Sequence, residues 1–435
     1  MKRLRFLLRQ TFYDLDTSLL FRPAAITILL ALVAAVLPIL EETHPEIGAR
    51  LAWAVPSEAG AAQVVLGTVA GGVMTVASIV YSVLIVSLSL ASVQFSPRLL
   101  SGFMRDRTSQ LVLGLFSGTF TYCLLVLRSA RSTPDPFVPK ASVVLAIALA
   151  LVCLASLSYF VHHMAQGIQA NYIVDRIAHE SEGVIDDVFV EPADAAEEPP
   201  APPAPADAFA VVAPASGYVQ LIEAQVLYEL AASRGATIFV KRGVGQFVPE
   251  QGILAVVSPR SAAGADLDAQ CARAFDIGPV RTMQDDVEFG VRQIVDVALK
   301  AISPAVNDPS TAVTCIDHLG RLLGRIARRG GARTTLRDPA GEPRVVLQRA
   351  DFGRMIDLAL NQIRQYGKGD MAVLLRVIRM LDDVAYAVRR PADLAAVRRH
   401  LAMVEKCGAS FPSEDCDELE RRAGALRERL EQRAA

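Results

Sequence analysis

The sequence predicts a membrane α-helical protein with four transmembrane helices, plus a cytoplasmic α+β region holding a small β barrel-sandwich-like module and a helical C-terminal part. Three observations predict it. Four long apolar runs carry no Asp, Glu, Lys or Arg. The composition is mixed, 52% hydrophobic but 21% charged over 435 residues, with a mean hydropathy of +0.33, too apolar for an ordinary soluble chain and too charged for one wholly buried in lipid. Beyond residue 208, short Val/Ile runs broken by glycine give way to apolar residues at helical spacing.

The spans fall at about 23–40, 61–93, 111–127 and 141–161, each close to or beyond the ~20 residues that a ~30 Å hydrocarbon core requires. Residues 1–20 carry Lys2, Arg3, Arg5 and Arg9 among Phe6, Leu7, Leu8 and Phe12. That pattern suits an interfacial helix leading into a retained anchor better than a cleaved signal peptide. Lys and Arg number nine on one set of flanks (those four with Arg22, Arg98, Arg105, Arg107 and Arg176) and four on the other (Arg50, Arg128, Arg131 and Lys140). The positive-inside bias therefore predicts a multi-pass protein with both termini cytoplasmic and Glu41, Glu42 and Glu46 facing out. The expected division is 1–165 transmembrane, 166–208 connecting helix and linker, 209–260 β module and 261–435 helical.

The second span is longer than a bilayer needs, and its polar residues are periodic. Thr68, Thr75, Ser82 and Ser89 recur every seven residues, and Gly71, Ser78 and Ser92 take the companion position of the same repeat. Gly67 and Gly71 add a small-xxx-small pair. This seam either packs helices closely or lines a hydroxyl-rich path in an oligomer. No span holds an ionisable residue of the kind proton relays and voltage sensors use. That argues against a proton-coupled pump and leaves a passive channel, a transporter of neutral solutes or an anchor.

His162 and His163 end the fourth span as neighbours about 100° apart on a helix, a poor arrangement for sharing one metal. Interfacial packing is expected of them. The six cysteines are scattered without a CxxC pair, which suggests reduced thiols and no metal or cofactor. A net charge of −2 gives no nucleic-acid footprint.

Past the fourth span, residues 165–188 suit a helix, and the acidic, proline-rich Glu197–Pro205 suits a stiff linker. Short runs at 217–221, 237–240, 245–248 and 252–257 suggest an all-β module, although no lysine sits where a carrier attachment would need one. An amphipathic helix starts near Met283, with Glu288, Arg292, Asp296 and Lys300 at i,i+4 spacing on one face. After it, Asp308 is an expected N-cap and Pro309 the first residue of the next helix. Asn307, Asp308, Thr311, Thr314 and His318 could form a cytoplasmic polar pocket for a small ligand, the alternative being capping and structural hydrogen bonds. Residues 350–389 and 392–431 suit further amphipathic helices.

The stretches Ser78-Ile79-Val80-Tyr81-Ser82 to Ser96-Pro97-Arg98, Phe289-Gly290-Val291-Arg292-Gln293, Ala301-Ile302-Ser303-Pro304 and Asn307-Asp308-Pro309 resemble a bacterial predicted membrane protein family, domain-of-unknown-function family 2254. The resemblance covers nearly the whole chain and implies an inner-membrane location and a shared cytoplasmic domain, but no activity. The proline-rich tract lies outside that pattern, as a variable insertion would.

Three functions follow as expectations. The first is a homo-oligomeric channel or passive transporter, lined by the second span and regulated by the cytoplasmic domain. The second is a membrane-anchored sensor or scaffold binding a cytoplasmic partner, for which the seam should be buried within one subunit. The third, a tethered enzyme around Asp285, Asp286, Asn307, Asp308 and His318, ranks last because neighbouring carboxylates diverge on a helix and no nucleophile–base pair can be assigned. A non-enzyme is expected.

Overall fold

The computed structural model describes residues 20–50, 53, 58–94, 106–132, 136–167, 169–189, 202–262, 264–329, 331–408, 411 and 413–433. The interfacial helix expected over residues 1–19, the Ser92 side chain, Ser96-Pro97-Arg98 and positions 190–201, with the first half of the proline-rich tract, lie outside them. The chain divides into two compact units, Met1–Gln169 and Ala170–Ala435.

The first unit contains α1 (Phe21–Thr43), the short α2 (Pro45–Ala49), α3 (Ala59–Gln94), α4 (Arg107–Ser129) and α5 (Lys140–Gly167). All but α2 are long and apolar enough to cross a membrane. Helix α4 is the hub, packing against α1, α3 and α5. It is also the span whose face is most continuously buried, through Val112, Leu113, Phe116, Thr119, Tyr122, Cys123 and Val126.

Glycines bring α1 onto α4. A Cβ on Gly114 would lie 2.8 Å from Ile26 Cδ1 and 2.9 Å from Pro23 Cα, and one on Gly118 would lie 2.7 Å from Leu30 Cδ1. Thr27 and Ser117 join their hydroxyls between these helices at 2.8 Å. Glu41 is buried and caps α5 from outside that helix, accepting the N–H groups of Ala141 and Ser142 (each 2.8 Å) and the Ser142 hydroxyl (2.5 Å).

The second unit begins with α6 (Ala170–Val188). Then come β1 (Phe209–Val212), β2 (Gly217–Ile222), α7 (Ala224–Ser233), β3 (Thr237–Val240), β4 (Phe247–Val248), β5 (Ile253–Ser258), α8 (Ala265–Ala272) and β6 (Phe275–Gly278). Helices α9 (Val287–Ala301) and α10 (Pro309–Arg328) follow, then β7 (Thr335–Arg337), β8 (Pro343–Val346), α11 (Phe352–Tyr366), α12 (Met371–Ala387), α13 (Pro391–Gly408) and α14 (Ser413–Gln432). One sheet runs β1-β5-β3-β8-β7, the other β4-β2-β6.

The four strands expected between 217 and 257 all form, yet the β barrel-sandwich-like module is replaced by a small mixed region. Helix α7 separates β2 from β3, and β8 joins β3 in parallel, pairing Ile238 with Val345. Strands β6, β7 and β8 come from beyond residue 260 because their apolar side chains, Phe275 and Val345 among them, complete a core with Val219, Leu227, Ile238 and Leu254. Sequence-local strands could not bury that core alone.

The helical half is built around α9, which packs against α6, α10 and α11 and buries Val291, Ile294, Val295 and Ala298. Two residues of its charged face reach across to α11. Glu288 pairs with Arg354 of α11 at 2.5 Å, and Arg292 donates to Gln362 of α11 at 3.1 Å.

Candidate functional site

Helix α3 carries two stripes. Ala62, Leu66, Ala70, Val73, Ala77, Val80, Leu84 and Ser87, spaced by three or four, are buried against the bundle. Thr68, Thr75, Ser82 and Ser89 fall two residues, about 200°, after Leu66, Val73, Val80 and Ser87, and Gly71 and Ser78 fall two residues before Val73 and Val80. All six are exposed.

The hydroxyl seam therefore points away from its own bundle, whereas the sensor or scaffold expectation requires it inside. Gly67 and Gly71 meet no described residue: a Cβ on either would have none of their atoms within 4 Å. The small-xxx-small contact within the unit is instead Gly114–Gly118, which the sequence reasoning passed over. Its signal was available as two glycines four apart beside Ser117 in an apolar run.

Thr68 donates to Val64 O (2.7 Å), Thr75 to Gly71 O (2.9 Å), Ser78 to Met74 O (3.0 Å) and Ser82 to Ser78 O (2.9 Å). Each of these four hydroxyls has one proton, so they present oxygen lone pairs and no further donors. His163 sits elsewhere, with Nε2 3.0 Å from the Asp106 carboxylate and its ring stacked on Tyr159, and His162 does not share this arrangement. Among the described residues no three His, Cys, Asp or Glu side chains group as metal ligands.

Several of the residues of the polar pocket expected around residue 307 have local hydrogen-bond partners. Asp308 caps α10, accepting the Thr311 N–H at 3.1 Å and the Thr311 hydroxyl at 2.5 Å, bonds that hold its carboxyl below the usual range. Asp106, Asp286, Asp351 and Asp370 make the same cap on their own helices. Asn307 is exposed with φ +52°, and Thr314 bonds back to Ser310 O.

His318 lies about 15 Å along α10 from Asp308 and one turn beyond Thr314. It faces α6, 4.0 Å from Asp175, and burial holds its imidazole below the ordinary value although Asp175 opposes the shift. Asp285 and Asp286 stand at the far end of α9, about 22 Å of helix from Asn307. The five groups of the enzyme expectation do not converge.

What the sequence reasoning missed is a cleft of about 350 Å³ at the N-terminus of α9, lined by Asp285, Val287, Gln246, Thr334, Gln348 and Arg349 among others. A second hollow of about 480 Å³, with Arg333 and Asp187 on its wall, shares Arg349 with it. Arg349 donates to Val188 O at the end of α6 (2.9 Å). Asp286 is held bidentately by Arg281, at 2.9 and 2.8 Å, while accepting the Phe289 N–H at 3.0 Å. Arg349 and Val188 stand 161 positions apart in the chain and Gln246 and Gln348 stand 102 apart, so no local motif announced the cleft.

Residues 16–383 match the family described as "Predicted membrane protein (DUF2254)". The chain belongs to this family. The DUF2254 match spans α1 to α12 and stops within α12, leaving α13 and α14 beyond it. The chain is 36% identical over 367 residues to uncharacterized proteins of Mycobacterium bovis and Mycobacterium tuberculosis, covering 82% of this chain and 70% of each relative. No solved structure matches.

Proposed function

We propose that this DUF2254 protein works in the bacterial inner membrane as a homo-oligomer whose copies meet on the outward faces of α3. The facing hydroxyl oxygens line a passive path for water or a small cation, and the second unit regulates it from the cytoplasm. The observation that carries this reading is the exposure of Thr68, Gly71, Thr75, Ser78, Ser82 and Ser89 on the side of α3 opposite its bundle-facing stripe.

Lipid offers no partner that rewards such a stripe. A second α3 does, because glycines and hydroxyls let backbones approach closely. Lone pairs facing a shared axis favour cations and water over anions, since the protons that would hold an anion are engaged with backbone carbonyls.

The test is native mass measurement of the full chain in nanodiscs, paired with liposome flux of potassium, sodium and water. Thr75→Trp should lower the stoichiometry and abolish flux, while Leu32→Trp, on an exposed position of α1, should do neither. A wild-type monomer, or an oligomer indifferent to Thr75→Trp, would sink the reading.

A further inference from the structure

The cleft beside α9 has the attributes of a built site. Its two hollows, about 350 and 480 Å³, each fall within the ~300–1,000 Å³ range of small-molecule sites. Its wall is held in place by close backbone packing. A Cβ on Gly243 would stand 2.6 Å from Gln348 O, and one on Gly245, at φ +81°, would stand 2.2 Å from Asp286 Oδ2. The loop bearing Gln246 is thus clamped between the segment that follows β8 and the α9 cap.

Several acidic side chains around the cleft are engaged by arginines. Asp286 is taken by Arg281, Glu288 by Arg354, and Asp186 by Arg325 and Arg329 at 2.5 Å each. Asp187 and Asp285 are exposed on the rim, where water screens them.

Arg349 is partly buried, and among the described residues its guanidinium has one hydrogen-bond acceptor, Val188 O, and no carboxylate within 4.0 Å. Burial pulls it below its ordinary value; Asp285 opposes this and Arg333 adds to it. Two arginines that disfavour one another therefore border one cavity, an arrangement an oxyanion between them would relieve.

We propose that this cleft binds a small organic oxyanion, a phosphate or carboxylate on a partly apolar body, with Arg349 and Arg333 holding the anionic group. Gln246, Gln348 and Thr334 supply hydrogen bonds around the rest of the ligand, and Leu347 and Met355 line its apolar side. The site stands on residues of the second unit alone, so it does not depend on how α3 associates.

The experiment is a thermal-shift and calorimetric titration of the full chain in zwitterionic nanodiscs. The probes are inorganic phosphate, citrate and adenosine 5′-monophosphate, with chloride at matched ionic strength as the reference. At least one oxyanion should bind, and Arg333→Ala should weaken it about tenfold, the loss of one charge-assisted contact.

Arg349→Lys keeps the charge and one donor for Val188 O but loses the planar fork, and should weaken the same probe at least as much. Arg349 also closes the end of α6, so Arg333→Ala, free of that role, separates binding from folding. No binding of any probe, shifts no larger than those of chloride, or titrations unchanged in both variants would overturn the proposal. So would a response confined to nanodiscs containing anionic lipid.

Discussion

The Asp286 carboxylate is asked to do two things at one buried position. It caps the first turn of α9 through the Phe289 N–H and receives both arms of Arg281, whose guanidinium also lies 5.4 Å over the Phe289 ring. Burial pushes its carboxyl up and Arg281 is the main force against that.

Arg281→Ala therefore leaves a buried acid without its counter-charge, and we expect a loss of about 3–5 kcal/mol. The sign with pH follows. A carboxyl whose folded pKa is raised contributes stability below the unfolded pKa and loses it as pH rises. The variant's thermal midpoint should thus lie closer to the wild type's in mild acid than at alkaline pH. A deficit that does not change with pH would mean the cap, and not the ion pair, carries the effect.

At the scale of elements, identical residue types act differently according to which face they occupy. Gly114 and Gly118 are pressed against α1, and a leucine at either would need space that Pro23, Ile26 and Leu30 already fill. Gly71 stands in the open. Gly118→Leu should destabilise the solubilised monomer by about 1–3 kcal/mol, the cost of overpacking. Gly71→Leu should leave the monomer's thermal midpoint within about 0.5 kcal/mol of the wild type. Equal losses would show that the outward stripe of α3 is packed within a subunit after all.

Each of the two units has its own means of cohesion. The first rests on apolar packing around α4 and a few shared hydroxyls. The second adds an ionic seam between α6 and α10, where Asp175 and Glu182 meet Arg321 at 2.9 and 2.6 Å and Asp186 meets Arg325 and Arg329. The hydrogen bond from Arg321 holds the Glu182 carboxyl below its usual range, and that from Arg325 does the same for Asp186.

A depressed carboxylate contributes stability that is complete above the unfolded pKa, about 4, and that fades as pH falls through the lower folded value. Stability of the second unit should decline in acid over that window. Asp186→Asn should reduce the decline while costing on the order of 1 kcal/mol at neutral pH, as exposed ion-pair networks do. An unchanged acid limb in that variant would remove the seam from the account.

The sequence by itself determined the four membrane-crossing helices, the family, the Asp308 cap and the strands between 217 and 257. Each of these is written in local composition and period, and a bilayer or a backbone responds to such signals directly. The two stripes of α3 were present in the same period, but which one faced the bundle depended on the shapes of α1, α4 and α5.

Only the tertiary structure decided that β6, β7 and β8 complete the sheets. It also decided that Asp308 spends its carboxylate on Thr311, and that Arg349 borders both the cleft at the first turn of α9 and the hollow that holds Arg333. The reason is physical: burial of apolar surface is indifferent to sequence separation. Residues such as Gln246 and Gln348, 102 positions apart, become neighbours through the packing of elements between which no local pattern passes.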